Sequence, residues 1–290
     1  MLKATMRPFM RAVSLVVVLM LAPVPVWAQA PVRIVSFNVR YGTAADGDHV
    51  WPNRRHAVIG TVRDHAPHLL GVQEALRFQL DELEAALPLH RRFGVGRDDG
   101  VAAGEHAALL VDTTRFTVVA DGTFWLSDTP AVPGSVHWGN RITRIVSWVR
   151  VTDRATGRVW RAYNAHWDHE SQASRERSAR LMLDRIRQDG APTDAVVVLG
   201  DFNADESNPA FQALLGSAAV RLADTFRARN PSARAVGTFN AFRGDSTAGK
   251  IDAVLVGPGI DVIDAGIDRR RWGSLWASDH FAVWAVVTTQ

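Results

Sequence analysis

Asp201 and Asn203 stand at the end of a strongly apolar run, and their residue types could act on a phosphoester. Residues 196–199 predict a strand buried on both faces, and this run stops at Gly200-Asp201-Phe202-Asn203. Side chains two apart on an extended segment point the same way, so a carboxylate and a carboxamide are expected together. The acid could orient a water and the amide could hold an oxyanion. The structural alternative is a polar turn that ends a core strand.

Polar side chains also stand at the ends or starts of other predicted strands. They are Asn38, Glu74, His166, Asp252 and the adjacent pair Asp279-His280. One such residue is commonplace, but six segments of one domain share the pattern. Because buried unpaired charges are costly, these groups are expected to pair with one another or with a metal. Oxygen ligands without thiolates suit a hard ion, Mg²⁺ or Mn²⁺.

Strands and helices alternate along the chain, which predicts an α/β domain. Strands are predicted at 32–40, 68–74, 107–111, 117–126, 144–151, 158–166, 195–203, 251–256 and 281–287. Helices are predicted at 54–65, 78–87, 174–188 and 209–215. No repeat, low-complexity tract or linker interrupts this order, so one domain is expected.

The first 28 residues are typical of a signal peptide. A basic start (Lys3, Arg7, Arg11) precedes an apolar core at 13–22, two prolines, and a small-residue cleavage site at Val26-Trp27-Ala28 or Ala28-Gln29-Ala30. The apolar core is too short to span a bilayer as a helix. We therefore expect a signal peptide at 1–28, a catalytic domain at 29–290 without a transmembrane segment, and a periplasmic or secreted protein. An uncleaved N-terminal anchor is the alternative.

Composition narrows the chemistry and the partners. The chain has 290 residues and no cysteine, which excludes disulfides, a lipid-anchored cysteine and a zinc–thiolate site. Removing the signal reduces the basic residues from 33 to 30, against 30 acidic residues. A protein that holds long nucleic acid usually carries a basic stripe, and the sequence shows none. Folding could still assemble one.

Six stretches together resemble the endonuclease/exonuclease/phosphatase superfamily, which includes DNase I, exonuclease III, inositol-polyphosphate phosphatases, sphingomyelinases and deadenylases. They are Ser36-Phe37-Asn38-Val39-Arg40, Gly71-Val72-Gln73-Glu74, Asn164-Ala165-His166, Gly200-Asp201-Phe202-Asn203, Ile251-Asp252 and Ser278-Asp279-His280. They follow the family's order and span nearly the whole domain. The resemblance implies a four-layer α/β sandwich, DNase I-like, with two packed mixed β-sheets flanked by helices and one site at the strand ends.

The resemblance also implies a metal site and a water-activating pair. Glu74 would be the principal ligand of Mg²⁺ or Mn²⁺, with Asn38 and Asp279 completing or supporting the site. Asp201 would orient or deprotonate the attacking water, and Asn203 would hold a phosphate oxygen.

Two histidines have implied roles at the scissile phosphate. His280 would contact the phosphate, kept protonated and aimed by Asp252. His166 would be a phosphate ligand or the general acid, and Glu105 resembles the acid that pairs with this histidine. The implied chemistry is in-line attack of water, with the metal and two imidazoliums stabilising charge on phosphorus.

Several positions depart from the family's pattern or leave it open. Arg40 stands where exonuclease III-type members carry an acid, which leaves one carboxylate fewer for metal. Arg144 resembles an arginine that faces the substrate phosphate; a cross-strand ion pair is the alternative. Asp168 and His169 could bind a second metal or support their loop.

These residues predict an exported, metal-dependent phosphoester hydrolase. A phosphodiesterase acting on DNA or RNA, as an endo- or exonuclease, is the leading prediction, and a monomer is expected. Phospholipid or sphingomyelin cleavage and inositol- or sugar-phosphate hydrolysis are alternatives, and a noncatalytic binding module is a remote one. Substrate choice is expected to depend on the loops at 42–52, 127–140 and 240–249.

Overall fold

The computed structural model describes residues 1–3 and 31–289. The predicted signal peptide therefore lies almost entirely outside the described residues, and its cleavage stays a prediction. Within the described ranges, none of the helices combines the length and apolar character needed to cross a membrane.

Twelve strands and five α-helices make up the described domain. The strands are β1 (Val32–Asn38), β2 (Leu69–Ala75), β3 (His90–Phe93), β4 (His106–Asp112), β5 (Phe116–Trp125), β6 (Ile145–Asp153), β7 (Val159–His166), β8 (Ala195–Asp201), β9 (Ala223–Asp224), β10 (Asp252–Val256), β11 (Ile260–Asp268) and β12 (Ala282–Thr289). The helices are α1 (Trp51–His65), α2 (Arg77–Ala86), α3 (Gln172–Gln188), α4 (Pro209–Leu215) and α5 (Thr225–Arg229), and a short 3-10 helix covers Gly47–His49.

The strands form two six-stranded mixed sheets that pack face to face. One has the order β11-β12-β1-β2-β4-β3 and the other β5-β6-β7-β8-β10-β9. Residues of both sheets, among them Ile34, Leu109 and Leu199, share the central apolar core. The outer face of the first sheet packs against α1 and α2, and that of the second against α3 and α4. This arrangement confirms the predicted four-layer α/β sandwich.

The differences from the predicted elements have simple causes. The strand predicted to run to 203 ends at Asp201, because the chain turns there. Strands β3, β9 and β11 and helix α5 were not predicted. The first has one apolar residue in four, β9 and α5 are only two and five residues long, and the edge strand β11 is mostly exposed or half-buried. Such segments carry little periodic apolar signal.

Strand pairing brings the polar strand ends to one place. Strands β1 and β2 run parallel, with Asn38 opposite Gln73, the neighbour of Glu74. Strands β7 and β8 also run parallel, which sets His166 opposite Asp201. Strand β10 runs antiparallel to β8, so its first residue lies opposite Asp201 as well. Both sheets therefore end at a common edge.

A buried polar contact joins the two sheets just beneath this edge. The Asn164 amide on β7 donates to the carbonyls of Val72 and Ala108 at 2.9 and 2.8 Å, where the β2–β4 pairing shifts register. Its oxygen accepts from Gln73 at 2.6 Å. The side chain thus satisfies carbonyls of the irregular ladder and ties β7 to β2.

Candidate active site

A cavity of about 410 Å³ opens at the shared edge of the two sheets. Ten of the thirteen predicted site residues line it: Arg40, Glu74, Glu105, Arg144, His166, His169, Asp201, Asn203, Asp279 and His280. The other three, Asn38, Asp168 and Asp252, are buried and contact lining residues. Side chains that are more than 200 residues apart in the sequence thus meet in one place.

Five lining residues were not predicted from the sequence. They are Tyr41, Arg97, Ile142, Phe239 and Ile251. Arg97 precedes Asp98-Asp99 and reads as part of a solvated loop. Phe239 lies in a loop as a single exposed aromatic residue, which is a weak signal without the fold.

Glu74, Asp201 and His280 offer ligand atoms within 4.8 Å of one another. The Asn38 amide nitrogen donates to Glu74 Oε1 and Asp201 Oδ2, both at 2.9 Å, and holds the two carboxylates side by side. Its oxygen accepts from the backbone N–H of Arg40, so Asn38 supports the carboxylates here. The carboxylate oxygens of Glu74 and Asp201 fit a hard divalent cation.

Asp201 and Asn203 are brought together by a turn, and the expectation of one extended strand was wrong. Asn203 has φ 46°, in the left-handed region. Its backbone N–H donates to Asp201 Oδ1 at 2.9 Å, and its amide nitrogen donates to the carbonyl of Trp167 at 3.0 Å. Burial raises the pKa of Asp201, and the neighbouring carboxylate of Asp252 raises it further.

His280 and Asp252 form a hydrogen-bonded pair. The Nδ1 of His280 lies 2.9 Å from Asp252 Oδ2, and its Nε2 lies 3.8 Å from Asp201 Oδ2. Burial lowers the pKa of His280, but the carboxylates of Asp252 and Asp201 outweigh it and raise this pKa well above its usual value. Asp252 is 0% exposed, and its charge acts on its two buried neighbours, His280 and Asp201. The pair supplies an imidazolium to the cavity.

His166 differs from the expectation of a second imidazolium. Arg144 Nη1 lies 2.9 Å from its Nε2, and because a guanidinium only donates, this nitrogen must be unprotonated. Burial, together with the charge of Arg144, lowers the pKa of His166 well below its usual value. Of the two histidines expected at the phosphate, His280 is therefore the imidazolium and His166 the neutral imidazole.

Glu105 has a different main partner from the one expected. It accepts two hydrogen bonds from Arg97, at 2.6 and 2.9 Å, whereas His166 Nδ1 lies 3.9 Å from its Oε2. Burial raises the pKa of Glu105 to about 7, and the charge of Arg97 opposes the shift. The acid therefore binds the arginine directly, and the neutral ring of His166 lies beyond hydrogen-bond distance.

Asp168 and His169 hold Arg144 in the cavity wall. Arg144 is 4% exposed; its Nη2 donates to His169 Nδ1 at 2.8 Å, and its Nε lies 3.6 Å from Asp168 Oδ2. Asp168 also accepts two backbone N–H groups of the following turn. Among the described residues, the group that could hold a metal ion contains Glu74 and Asp201, and neither Asp168 nor His169 belongs to it. Loop support is the role this geometry favours for Asp168 and His169.

Arg40 places a permanent cation beside the carboxylates. Its Nε and Nη2 each donate to Asp46 at 3.0 Å. Its Nη1 lies 3.9 Å from Glu74 Oε2, and its Nε lies 3.7 Å from Asp279 Oδ2. The hydrogen bonds to Asp46 raise the pKa of Arg40 above its already high value. The carboxylates of Glu74 and Asp279 therefore have the positive charge of Arg40 next to them in the cavity.

The family of the protein follows from these features together with its similarity to known proteins. The fold is that of the DNase I-like proteins, a class whose members hydrolyse phosphoester bonds. The model of the Endonuclease/Exonuclease/phosphatase family matches residues 35–280, and the chain belongs to this family. Comparison of the sequence with curated proteins finds no match.

Solved structures of bacterial relatives are similar over their whole length. An endonuclease/exonuclease/phosphatase from Bacteroides vulgatus is 31% identical with a TM-score of 0.83, covering 90% of this chain and 100% of its own. A mannosyl-6-phosphatase from Bacteroides thetaiotaomicron is 30% identical with a TM-score of 0.81, covering 89% and 99%. The human nocturnin catalytic domain shares the fold at 14% identity, with a TM-score of 0.72 and coverage of 90% and 96%.

Proposed function

We propose that this protein hydrolyses phosphomonoesters of small polar alcohols, of the sugar-phosphate class, with Mg²⁺ or Mn²⁺. The observation that carries the proposal is the convergence of Glu74, Asp201 and His280 in a cavity that also holds Arg40 and Arg144. Its volume of about 410 Å³ falls within the roughly 300–1,000 Å³ typical of small-molecule sites. The similarity to a mannosyl-6-phosphatase supports the same class of substrate.

The chain's own residues divide the work at the phosphate. Glu74, supported by Asn38 and joined by Asp279, would hold the divalent cation, which when bound supplies charge stabilisation at the phosphoryl oxygens. Asp201 orients a water toward phosphorus and takes its proton as the P–O bond to the alcohol breaks, and the leaving alcohol oxygen takes a proton from solvent. His280 donates from Nε2 to a phosphoryl oxygen while Asp252 fixes its ring.

Arg144 completes the charge stabilisation on the His166 side of the cavity. Its guanidinium is fixed by two imidazole nitrogens and by Asp168, so its orientation is set before substrate arrives. Preorganised cations of this kind stabilise charge that develops in a transition state. Asn203, anchored on Trp167, presents its amide to the same phosphate.

Nucleic acid remains the substrate that the sequence alone favours, and an activity panel separates it from small monoesters. The purified protein is incubated with Mg²⁺ or Mn²⁺ and either hexose 6-phosphates, inositol monophosphate, plasmid DNA, poly(A) or sphingomyelin. We expect phosphate release from a sugar phosphate, and loss of that activity with EDTA. Cleavage of nucleic acid or lipid with inert sugar phosphates would overturn the proposal, and inactivity on every substrate would favour a binding module.

Two variants tie the activity to this cavity. Asp201→Asn should lower kcat by at least about 100-fold, as expected when a group that activates the nucleophile is lost. Asp205→Asn changes a nearby acid whose hydrogen bonds stay within its own loop, to Ser207 and Asn208, and should leave kcat unchanged. If Asp201→Asn keeps the kcat of the wild type, as Asp205→Asn should, Asp201 has no role in the mechanism.

We also propose that the protein is exported and acts as a monomer. The support for export is the signal-like composition of residues 1–28. Mass spectrometry of the protein recovered from its host should show cleavage after Ala28 or Ala30, and light scattering should give the monomer mass. An intact N-terminus would favour the anchor alternative.

A further inference from the structure

The backbone of Arg40 is held in a strained conformation by several hydrogen bonds. Its backbone has φ 56°, a conformation that costs energy for a residue other than glycine. Its carbonyl accepts from Arg54 Nη2 at 3.0 Å and from Gln79 Nε2 at 2.9 Å, and its N–H donates to Asn38. The surrounding structure therefore holds this residue in a strained geometry at the cavity wall.

The side chain of Arg40 is fixed as well, with one nitrogen left for another partner. Asp46, from the loop at 42–52, takes Nε and Nη2 in a two-point contact. Nη1 points to the carboxylate side, 3.9 Å from Glu74 Oε2, beyond hydrogen-bond distance. With 27% of the side chain exposed, the guanidinium is open to the cavity. An anion next to Glu74 would meet a preorganised donor.

The charge of Arg40 bears on which phosphoester the site accepts. At neutral pH a phosphomonoester carries almost two negative charges on three terminal oxygens, and a diester carries one charge on two. Two of these oxygens can be served by His280 and by Arg144, and the third would lie on the metal-binding side, next to Arg40. A third charged oxygen needs a further cation. If that oxygen is esterified, as in a diester, the cation has no anionic partner.

We propose that Arg40 is the specificity-determining residue of this site: its Nη1 binds a terminal oxygen of a dianionic phosphomonoester and so disfavours diesters. The inference rests on the proposed function and adds the residue that selects the substrate class. Asp46 acts as a positioning residue, because it aims the guanidinium without lining the cavity.

Two substrates with the same leaving group test this inference. The ratio of kcat/KM for p-nitrophenyl phosphate to that for methyl p-nitrophenyl phosphate is measured at saturating Mn²⁺. Arg40→Gln should lower this ratio by about tenfold or more, since a hydrogen bond to a charged group is lost for the monoester alone. Asp46→Asn, which keeps the arginine and weakens its tether, should lower the ratio by less.

Two controls separate substrate selection from other effects. Arg55→Gln on α1 removes an arginine that is 55% exposed and paired only loosely with Glu82 at 3.7 Å, and it should leave the ratio unchanged. Calorimetric titration with Mn²⁺ alone should show that Arg40→Gln binds the ion as tightly as the wild type, or more tightly, because a neighbouring positive charge is gone.

The outcomes distinguish this inference from the proposed function. A wild type that prefers the monoester, together with an unchanged ratio in Arg40→Gln, would overturn the role of Arg40 and leave the function standing. An equal fall in kcat/KM for both substrates, together with weakened Mn²⁺ binding, would also overturn the role of Arg40 in selection. It would assign Arg40 to the metal site instead. A wild type that hydrolyses only the diester would overturn both.

Discussion

At the scale of single residues, the site separates the charge states of two histidines by giving them opposite partners. Asp252 stabilises the imidazolium of His280, whereas Arg144 stabilises the neutral form of His166. The two rings are of the same residue type and nearly equally buried. Their partners therefore decide which ring brings a positive charge to the phosphate.

Asp252→Asn tests the contribution of the buried carboxylate to catalysis. The amide can still accept from His280 Nδ1 but no longer carries the charge, so we expect kcat to fall by about 100-fold or more. Calorimetric titration with Mn²⁺ should give an affinity near that of the wild type, because Asp252 does not line the cavity. Unchanged kcat with normal Mn²⁺ affinity would contradict a catalytic role for the pair.

The residue types of the site were predictable, and their local geometry was not. Carboxylates, amides and histidines at strand ends predict a polar cavity, and ten of the thirteen predicted residues line it. The partner of Glu105 could not be read from the sequence, because Arg97 reaches it from the preceding loop. The turn at Asn203 was the alternative to an extended strand, and it fits asparagine, which adopts left-handed backbone more readily than most residues.

At the scale of elements, close contact between β7 and β8 fixes the position of Asp201. Gly200 lies opposite Ala165, and a Cβ on Gly200 would stand 2.1 Å from the carbonyl oxygen of Ala165. Only a residue without a side chain allows the two strands to pair at this point. Close pairing of the two strands thus explains why the Gly200-Asp201-Phe202-Asn203 motif begins with glycine.

Gly200→Ala should lower both stability and turnover. Moving β8 away from β7 displaces Asp201 from His166, so we expect a lower Tm and a kcat reduced by at least about tenfold. Gly216→Ala is the matched control, because Gly216 has φ −79° and a Cβ there would approach no atom closer than 3.1 Å. If both variants keep the Tm and kcat of the wild type, the steric argument fails.

The elements that position the site were the most predictable ones. Strands such as β1, β2 and β8 are buried on both faces, so their apolar runs can be recognised from composition alone. The edge elements were missed because solvent, rather than a core, faces much of their surface. Which strands pair, and hence which ends meet, needed the long-range contacts of the fold.

At the scale of the whole molecule, a buried histidine far from the cavity couples folding to pH. His68 is 9% exposed, and its Nδ1 accepts from the backbone N–H of Arg33 at 3.0 Å, which requires the neutral ring. Burial, with the charges of Arg33 and Arg115, lowers the pKa of His68 from 6.5 to about 4. Acid therefore favours the unfolded chain, in which the ring protonates more readily.

The free energy of unfolding should fall as pH drops from about 6.5 to about 4, and His68→Gln should reduce this fall. In that window the unfolded state binds a proton at residue 68 that the folded state does not, so folding loses stability on acidification. Urea unfolding at several pH values measures the slope, and other groups cancel in the comparison. Identical slopes for the two proteins would exclude His68 as a source of acid sensitivity.

The central claim is that this cavity hydrolyses a phosphomonoester by attack of water on phosphorus. The most direct measurement is mass spectrometry of the products of a hexose 6-phosphate incubated with Mg²⁺ and the protein in ¹⁸O-labelled water. We predict one ¹⁸O atom in the released phosphate and none in the sugar, with no release by Asp201→Asn. Label in the sugar, or equal release by the Asp201→Asn variant, would contradict the claim.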